Sequence, residues 1–588
     1  MAAATCQCGD EGCHANEARE INRRDFNLGV SAIVGASLSL GLATRSAHAQ
    51  ESGTRVFRGG TILTVDKKFS IAQAIAIRGN KIIAVGRDAD VRKAAGRGAQ
   101  VIDLKGRVML PGFIDPHTHM MSGSLIASLM EYVGVAKFDK TSAVLGHLRS
   151  LATKRMAGEW IVARNFDPSL QDGPEALTFK ELDAVSTRHP IFVLNSSGHL
   201  AYANRAAFKV AGIDETVENP AGAEFVRDED GKLTGIMKNN VAFLKVLQHY
   251  PALGNADPVK SLIQLSSEFA KKGLTTLSDL GMGGLYAAKD WQAFQQADAS
   301  GALRARMRVY PFYTVDEAWD AAGVKPGDGN AMVRIAGYKL IADGSNQGFT
   351  GLQREPYLNS TSTGLAYNSP EELKRLIMKR GGQGWPLAIH GNGDKAIDNI
   401  LDALTTASKE GLDVAALRPR IEHCSILHDD QIARMKDLGV SPSFLIGHVH
   451  YWGVAMRDVI FGEAKAKLLD RVRSCEKAGI RYSVHSDFFV TDPDPLHMIE
   501  MTVTRKTWKE PDYVLAPDER VSVESAIRAL TSEAAWQLSS EHEIGSLETG
   551  KFADLVILDK DPRQVHPDTI KDIKVLETWM DGKQTYAA

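Results

Sequence analysis

Cysteine, net charge of one sign and long apolar runs are all scarce in this sequence. Five cysteines among 588 residues are too few for a scaffold built on disulfides. A formal net charge of −3 provides no overall basic field, so we expect no nucleic-acid partner. The apolar run at residues 28–43 is shorter than the about 20 residues that a membrane span needs. With 44% hydrophobic and 24% charged residues, the composition is that of a globular protein rather than a disordered or polytopic membrane chain.

Residues 1–49 have the pattern of an export signal. Arg23 and Arg24, in the stretch 22–28, resemble a twin-arginine motif, and residues 47–49 form a small-x-small cleavage site. We therefore expect the twin-arginine translocase as a partner during export, followed by a periplasmic or secreted location. A cluster that could bind a metal lies in the segment to be removed: Cys6, Cys8, Cys13 and His14.

Short β-branched runs separated by turn residues occur at both ends of the remaining chain, for example at 72–77 and 575–580. This pattern predicts a small antiparallel sheet. Between the two ends, short apolar strands alternate with longer helical patterns, as at 386–390 followed by 395–407. Repeated alternation of this kind predicts an α/β fold, either a barrel or a doubly wound sheet.

His117 and His119 end an apolar strand at residues 113–119. Residues i and i+2 of a strand point to one face, so both imidazoles can reach one metal ion. Two surface histidines are the alternative, but the apolar approach favours a buried strand end, where catalytic groups of α/β barrels lie.

Three further metal-binding groups also end predicted strands, namely His390, His423 and Asp487. Strict alternation sends Glu422 to the face opposite His423. His485 lies two residues before Asp487 and therefore shares its predicted face. We interpret the repeated placement as one metal site.

Residues 113–119 followed in order by His390, His423 and Asp487 resemble the amidohydrolase superfamily. Residues 545–556 match it too, and the stretch 197–204 is similar to the family-3 branch, which includes N-substituted formamide deformylases. The resemblance covers residues 51–588. It implies a distorted (β/α)8 TIM barrel at 113–534, enlarged by an insert at about 135–250, and a composite β-sandwich from 51–112 and 535–588.

The resemblance also implies a set of metal ligands. One ion would be held by His117, His119 and Asp487, and a second by His390 and His423, with a carboxylated Lys339 bridging them. The imidazole and carboxylate ligands suit Zn²⁺, with iron, manganese or cobalt as alternatives, and one ion or two stay open. Alternation places Lys339 on the face of Val333 and Ile335; the alternative is an outward lysine whose stem lies along the surface.

The implied activity is hydrolysis of a C–N amide bond in a small N-substituted amide or formamide. The metal would activate water, and Asp487 would act as general base and then general acid. Deamination of a ring amidine and lactone hydrolysis are alternatives on the same barrel. A non-catalytic interaction protein is an alternative of another class, which predicts missing ligands.

Several residues are candidates for binding the small-molecule amide. His199 and Phe166 belong to the insert, and an aromatic group follows the predicted strand at 441–445: His448, His450 and Trp452. Asp343 is interpreted as the cap of a loop. The sequence leaves the oligomeric state open, with a homodimer as one option.

Overall fold

A computed structural model describes residues 53–174, 176–220 and 222–588. The predicted export signal and its cysteine cluster lie outside the described residues. Within these ranges, no helix combines the length and the apolar character needed to cross a membrane.

Strands from both ends of the described chain pair in one sheet of eight. They are Thr54–Leu63, Ile71–Arg78, Lys81–Gly86, Gln100–Asp103, Val108–Pro111, Leu555–Leu558, Val575–Met580 and Lys583–Ala587. The two ends meet where Val556 lies antiparallel to Leu110. The alternating inward side chains, among them Phe57, Ile557 and Trp579, form a separate apolar cluster. This explains why the terminal runs alternate while the central ones do not.

The centre of the molecule contains two parallel sheets. The first holds Phe113–Thr118, Leu274–Met282, Arg306–Pro311 and Val333–Ile335, and the second holds Tyr338–Ile341, Leu387–Gly391, Arg420–His423, Ser441–Phe444 and Ser483–Val484. Most of these strands are buried along their whole length, as parallel strands covered on both faces must be. Isolated parallel bridges link the two sheets, from Phe312 to Lys339 and from Thr118 to Phe488. The predicted mixed α/β fold is confirmed.

Helices follow most of the parallel strands and cover them. The α-helices are Asp88–Ala95, Met120–Leu129, Thr141–Ala152, Phe179–Asp183, Arg205–Val210, Asn240–Leu247, Pro251–Gly254, Pro258–Ala270, Lys289–Ala299, Asp316–Ala321, Pro370–Gly382, Asp394–Lys409, Asp429–Leu438, Gly447–Ala455, Glu463–Ala466, Val472–Ala478, Pro495–Thr504, Val523–Ala529 and Ser532–Gln537. A π-helical turn spans Met456–Ile460, and 3-10 turns span Tyr313–Val315, Ala415–Leu417, Pro517–Glu519 and Pro567–Asp572. Local sequence accounts for where helices begin. For example, the Asp257 side chain caps helix Pro258–Ala270 by accepting a hydrogen bond from the Lys260 amide, and proline occupies the first helical position.

The insert forms a third sheet of its own. Its strands are Glu131–Tyr132, Ile161–Phe166, Ile191–Asn195, Leu200–Ala203, Glu224–Arg227 and Leu233–Lys238. Helix Asn240–Leu247 packs on this sheet through Phe243, which lies in one apolar cluster with Phe192 and Phe225. The insert is therefore a packed layer with its own core, and it brings one helix beside the central sheets.

Candidate metal centre

The ends of the parallel strands bring the predicted ligands together. Asp487 Oδ1 lies 3.1 Å from His119 Nε2 and 3.3 Å from His117 Nε2, and Asp487 Oδ2 lies 4.0 Å from His423 Nε2. The ring of His390 stands edge-on to that of His423, with centroids 4.5 Å apart. Five groups separated by up to 370 positions, from 117 to 487, thus form one cluster, in which four groups are buried and His119 is half-buried.

Backbone contacts hold the first and last parallel strands in register at this cluster. The Asp487 amide donates to His117 O at 3.0 Å, and the His119 amide donates to Phe488 O at 2.8 Å. Asp115, two residues before His117, accepts from Ser486 Oγ at 2.5 Å. Burial raises the pKa of Asp115 to about 7, although its hydrogen bonds with Ser486 lower that pKa. The His-x-His pair and Asp487 are therefore positioned by the same contacts.

Glu422 lies in the site, which corrects the expectation that it faces away from His423. Its Oε2 accepts from His117 Nδ1 at 2.6 Å. The reason is local backbone geometry: His423 and Cys424 have φ values of 66° and 49°, so the chain leaves the pleated strand at His423 and alternation ends there. Glu422 keeps the inward direction of its strand, and His423 turns to meet it from the following bend.

Glu422 also contacts a buried arginine. Its Oε1 lies 2.7 Å from Arg420 Nε, and Arg420 in turn donates to Pro116 O at 2.8 Å. Burial raises the pKa of Glu422, while Arg420 opposes that shift. A carboxylate on Nδ1 of His117 fixes the tautomer of the ring and leaves Nε2 free toward Asp487.

We expect Glu422→Gln to lower metal affinity by about 10–100-fold, because an amide is a weaker partner for His117 than a carboxylate. Competition with a metal-binding dye measures the affinity. Glu500→Gln is the matched control, since Glu500 is also buried but pairs with Lys571. Equal affinity in both variants would contradict the orienting role of Glu422.

Lys339 points inward, which decides between the two orientations left open by its sequence. It is 1% exposed, and its Nζ has no hydrogen-bond partner among the described residues. Burial lowers the pKa of Lys339 to about 8, although Glu422 and Asp487 act in the opposite sense. A fully buried amine without a partner is rare in proteins and calls for a chemical explanation.

The histidine nitrogens are held by further buried groups. His390 Nε2 lies 2.9 Å from Gly344 O, which places a proton on that nitrogen and leaves Nδ1 as an acceptor. His485, which the sequence placed on the same face as Asp487, lies inward with Nε2 3.2 Å from His423 Nδ1 and Nδ1 2.8 Å from Ser443 Oγ. Burial lowers the pKa values of His117, His390 and His423 well below the usual range. They are thus neutral at physiological pH, the state in which imidazole binds metals.

The chemistry of this donor set fits a metal ion. The ligand atoms of His117, His119 and Asp487 lie within 4.8 Å of one another, as do those of His117, His423 and His485. Asp487 Oδ1 is buried, and although two imidazoles approach it, it makes no hydrogen bond among the described residues. A buried carboxylate oxygen without a hydrogen-bond partner is costly, and a bound cation would satisfy it.

The cluster forms one end of a cavity of about 1170 Å³, measured with its mouth. His199, a predicted substrate contact, lines this cavity; its Nδ1 lies 3.2 Å from the Tyr367 hydroxyl, and its ring centroid lies 5.0 Å from that of His390. Burial lowers the pKa of His199 to about 3. Tyr367, which the sequence did not single out, also lines the cavity.

The other four predicted substrate contacts lie outside the cavity lining, a correction to the sequence-based expectation. Phe166 packs against Tyr202 in an insert core, and Trp452 Nε1 donates to Asp167 Oδ2 at 2.8 Å. His450 Nδ1 lies 2.9 Å from Lys506 O, and His448 Nδ1 lies 3.1 Å from Ser425 Oγ. Helix Gly447–Ala455 is packed on several sides, so its aromatic residues find internal partners instead of facing substrate.

The ligand residues and their order along the chain indicate one family, and comparison of the sequence with known families identifies it. The sequence matches the amidohydrolase family over residues 100–586. The chain belongs to the amidohydrolase family. This confirms the resemblance drawn from the strand-end ligands, and it agrees with the metal-binding chemistry of the cluster.

Several known proteins are similar to this one along nearly the whole chain. The N-substituted formamide deformylase of Arthrobacter pascens is 29% identical over 539 residues, which is 89% of this chain and 97% of the relative. The protein LONG AFTER FAR-RED 3 of Arabidopsis thaliana is 29% identical over 538 residues, 90% of each chain. An uncharacterized metal-dependent hydrolase from Pyrococcus horikoshii OT3 has a structure that superposes with a TM-score of 0.68 at 25% identity, covering 88% of this chain and 99% of that one. Family and neighbour together support a metal-dependent hydrolase.

Proposed function

We propose that this amidohydrolase cleaves the C–N amide bond of an N-substituted amide or formamide in a metal-dependent reaction. One observation carries the proposal: His117, His119, His390, His423 and Asp487 converge on the buried Lys339 at the inner end of a cavity. The similarity to an N-substituted formamide deformylase supports the same bond class.

The proposal includes a closed barrel as the frame of the site. The bridges from Phe312 to Lys339 and from Thr118 to Phe488 support closure of the two parallel sheets into a distorted (β/α)8 TIM barrel. In that arrangement, residues 113–534 form the barrel with its insert, and 51–112 with 535–588 form the composite sandwich. Every ligand then lies at the carboxyl ends of the strands, where barrel enzymes place their catalytic groups.

Zinc is the metal we propose, as one ion or two, held by the five groups above. A carboxylated Lys339 would act as a further ligand, which is supported by its buried and unpartnered Nζ. A lowered pKa near 8 raises the neutral fraction of the amine, and only the neutral amine can add to carbon dioxide. When bound, the metal acts as a Lewis acid that lowers the pKa of water and polarises a carbonyl group.

The protein's own groups then handle the proton and the substrate. The Asp487 carboxylate has two oxygens, so it would help to hold the metal and can also accept a proton from the attacking water. It returns that proton to the leaving nitrogen. His199 is neutral and is held by Tyr367, so its ring can donate a hydrogen bond to the developing oxyanion.

Metal removal provides the direct test. We expect the purified protein to contain at least one metal per chain, to lose amide hydrolysis on chelation and to recover it on addition of zinc. Plasma emission spectrometry measures the content, and a panel of formamides, anilides, N-acyl amino acids, lactones and ring amidines measures turnover. Turnover of lactones or ring amidines alone would overturn the bond class. Activity that is insensitive to chelation, with far less than one metal bound, would overturn the metal-dependent reaction itself.

A further inference from the structure

We propose that the substrate carries one extended, uncharged, apolar or aromatic substituent, which lies along an apolar wall leading away from the metal cluster. This inference rests on the proposed amide hydrolysis and names the class of amide. It is carried by the residues that line the cavity beyond the metal ligands and by the partial exposure of their side chains.

Two helices from distant parts of the chain build the apolar wall. Helix Met120–Leu129 starts directly after His119 and contributes Leu125, Ile126 and Leu129, so the wall begins beside a metal ligand. Helix Asn240–Leu247 of the insert contributes Phe243, Leu244 and Leu247 from the other side. Three further lining residues continue the wall, namely Tyr250, Leu253 and Leu285.

Hydrogen bonds fix Tyr250 and Leu253 of the wall in place. The Tyr250 hydroxyl donates to Leu129 O at 3.3 Å, which ties the end of the first helix to the insert. The Tyr286 hydroxyl donates to Leu253 O at 2.9 Å, which ties the following loop to the same region. The wall is therefore built into the fold, as expected for a pre-formed ligand pocket.

Four leucines of this wall are only half-buried: Leu129, Leu244, Leu253 and Leu285. They face the cavity that ends at the metal cluster, whereas their neighbours Leu247 and Leu125 are buried. Partly uncovered leucines gathered around one cavity favour an apolar ligand that covers them. A formamide with a methyl group alone would leave this surface in contact with water.

The wall also discriminates by charge. Among the described residues that line the cavity, Lys339 and Asp487 are the ones with charged side chains, and both belong to the metal cluster. A substrate with a carboxylate on its substituent, such as an N-acyl amino acid, would bury that charge along the wall, where none of the described lining residues supplies a cation to pair with it, which is strongly unfavourable. The substituent is therefore neutral.

A series of N-methyl-, N-butyl- and N-octylformamide tests the proposal on the zinc-loaded protein. We expect kcat/KM to rise by about three- to fourfold per methylene until the wall is covered. N-formyl-8-aminooctanoate, which ends in a carboxylate, should be turned over at least about 100-fold less well than N-octylformamide. Hydrolysis at equal rates along the series would overturn the apolar wall and leave the amide hydrolase intact.

A matched pair of variants on one helix distinguishes a change in the wall's substrate preference from a general loss of stability. Leu244→Arg places a cation in the wall, and we expect it to abolish the gain with chain length and to favour the carboxylate-ended substrate. Val241→Arg, on the exposed side of the same helix, should behave as the unmodified protein. Similar effects of both variants would overturn the assignment of the wall to helix Asn240–Leu247.

A binding measurement tests the apolar wall independently of the proposed amide hydrolysis. Calorimetric titration of the metal-free protein with octan-1-ol, compared with ethanol, should detect octanol binding that Leu244→Arg weakens at least about tenfold. If no amide is hydrolysed although metal and octanol both bind, the proposed reaction fails and the apolar wall stands. If amides are hydrolysed but octanol binds no better than ethanol, the wall fails and the reaction stands.

Discussion

Asp487→Asn is expected to lower kcat by about 10²–10⁴-fold, the range that a positioned general acid–base group contributes. The amide keeps the shape of the carboxylate but cannot take a proton from water, and it is a poor metal ligand. Steady-state kinetics on the most active amide found in the substrate panel measures the loss. Because Asp487 Oδ1 makes no hydrogen bond among the described residues, we expect the fold to be retained.

Asp492→Asn serves as the control for this result. Asp492 lies five residues further along the chain and pairs with Lys272 at the surface, with 62% of its side chain exposed. Its loss should leave kcat within about twofold of the unmodified value, since exposed ion pairs contribute little. Circular dichroism checks that both variants fold. Near-normal activity of folded Asp487→Asn would remove Asp487 from the reaction.

Lys339→Met is expected to abolish hydrolysis and to stabilise the metal-free protein at the same time. The pKa of Lys339 falls from 10.5 to about 8 on burial, a shift that corresponds to a folding cost of roughly 3 kcal/mol. Methionine fills a similar volume without a charge. Carbon-13 NMR with labelled bicarbonate should show a carbamate signal in the unmodified protein that the variant lacks.

The pH dependence of this stabilisation has a definite sign. Below pH 8 the amine is charged in both the folded and the unfolded chain, so the full cost of burial is present. Between about pH 8 and 10.5 the folded chain has lost the proton and the unfolded chain retains it, so stability rises with pH and the cost disappears. The thermal midpoint of metal-free Lys339→Met should therefore exceed that of the unmodified protein at pH 7 and approach it near pH 10.

Lys465→Met is the matched control, because Lys465 is also largely buried but pairs with Asp394 at 3.0 Å. Removing it leaves a buried carboxylate without one of its partners, so the thermal midpoint should fall. A fall in the midpoint of Lys339→Met as well would show that the amine of Lys339 has a stabilising partner in solution. Full activity of Lys339→Met would exclude Lys339 from the reaction.

Much of the candidate site could be predicted because its signals are local. His117 and His119 share a strand face by geometry alone, and His390, His423 and Asp487 each end a predicted strand. The mixed α/β fold follows from the alternation of strands and helices. The role of Glu422 could not be predicted, since it depends on the φ of 66° at His423, which ends the alternation one residue earlier than the strand pattern indicates.

The sequence by itself determined the α/β fold class, the family and the order of the metal-binding groups, because these reside in strand periodicity and in residues adjacent along the chain. The tertiary structure alone decided what surrounds those groups. It turned Phe166 and Trp452 into internal contacts, left Lys339 without a hydrogen-bond partner among the described residues, and joined helices Met120–Leu129 and Asn240–Leu247 into one apolar wall. The physical reason is that the partner of a side chain depends on which distant segments pack beside it, and no spacing along the chain encodes that packing.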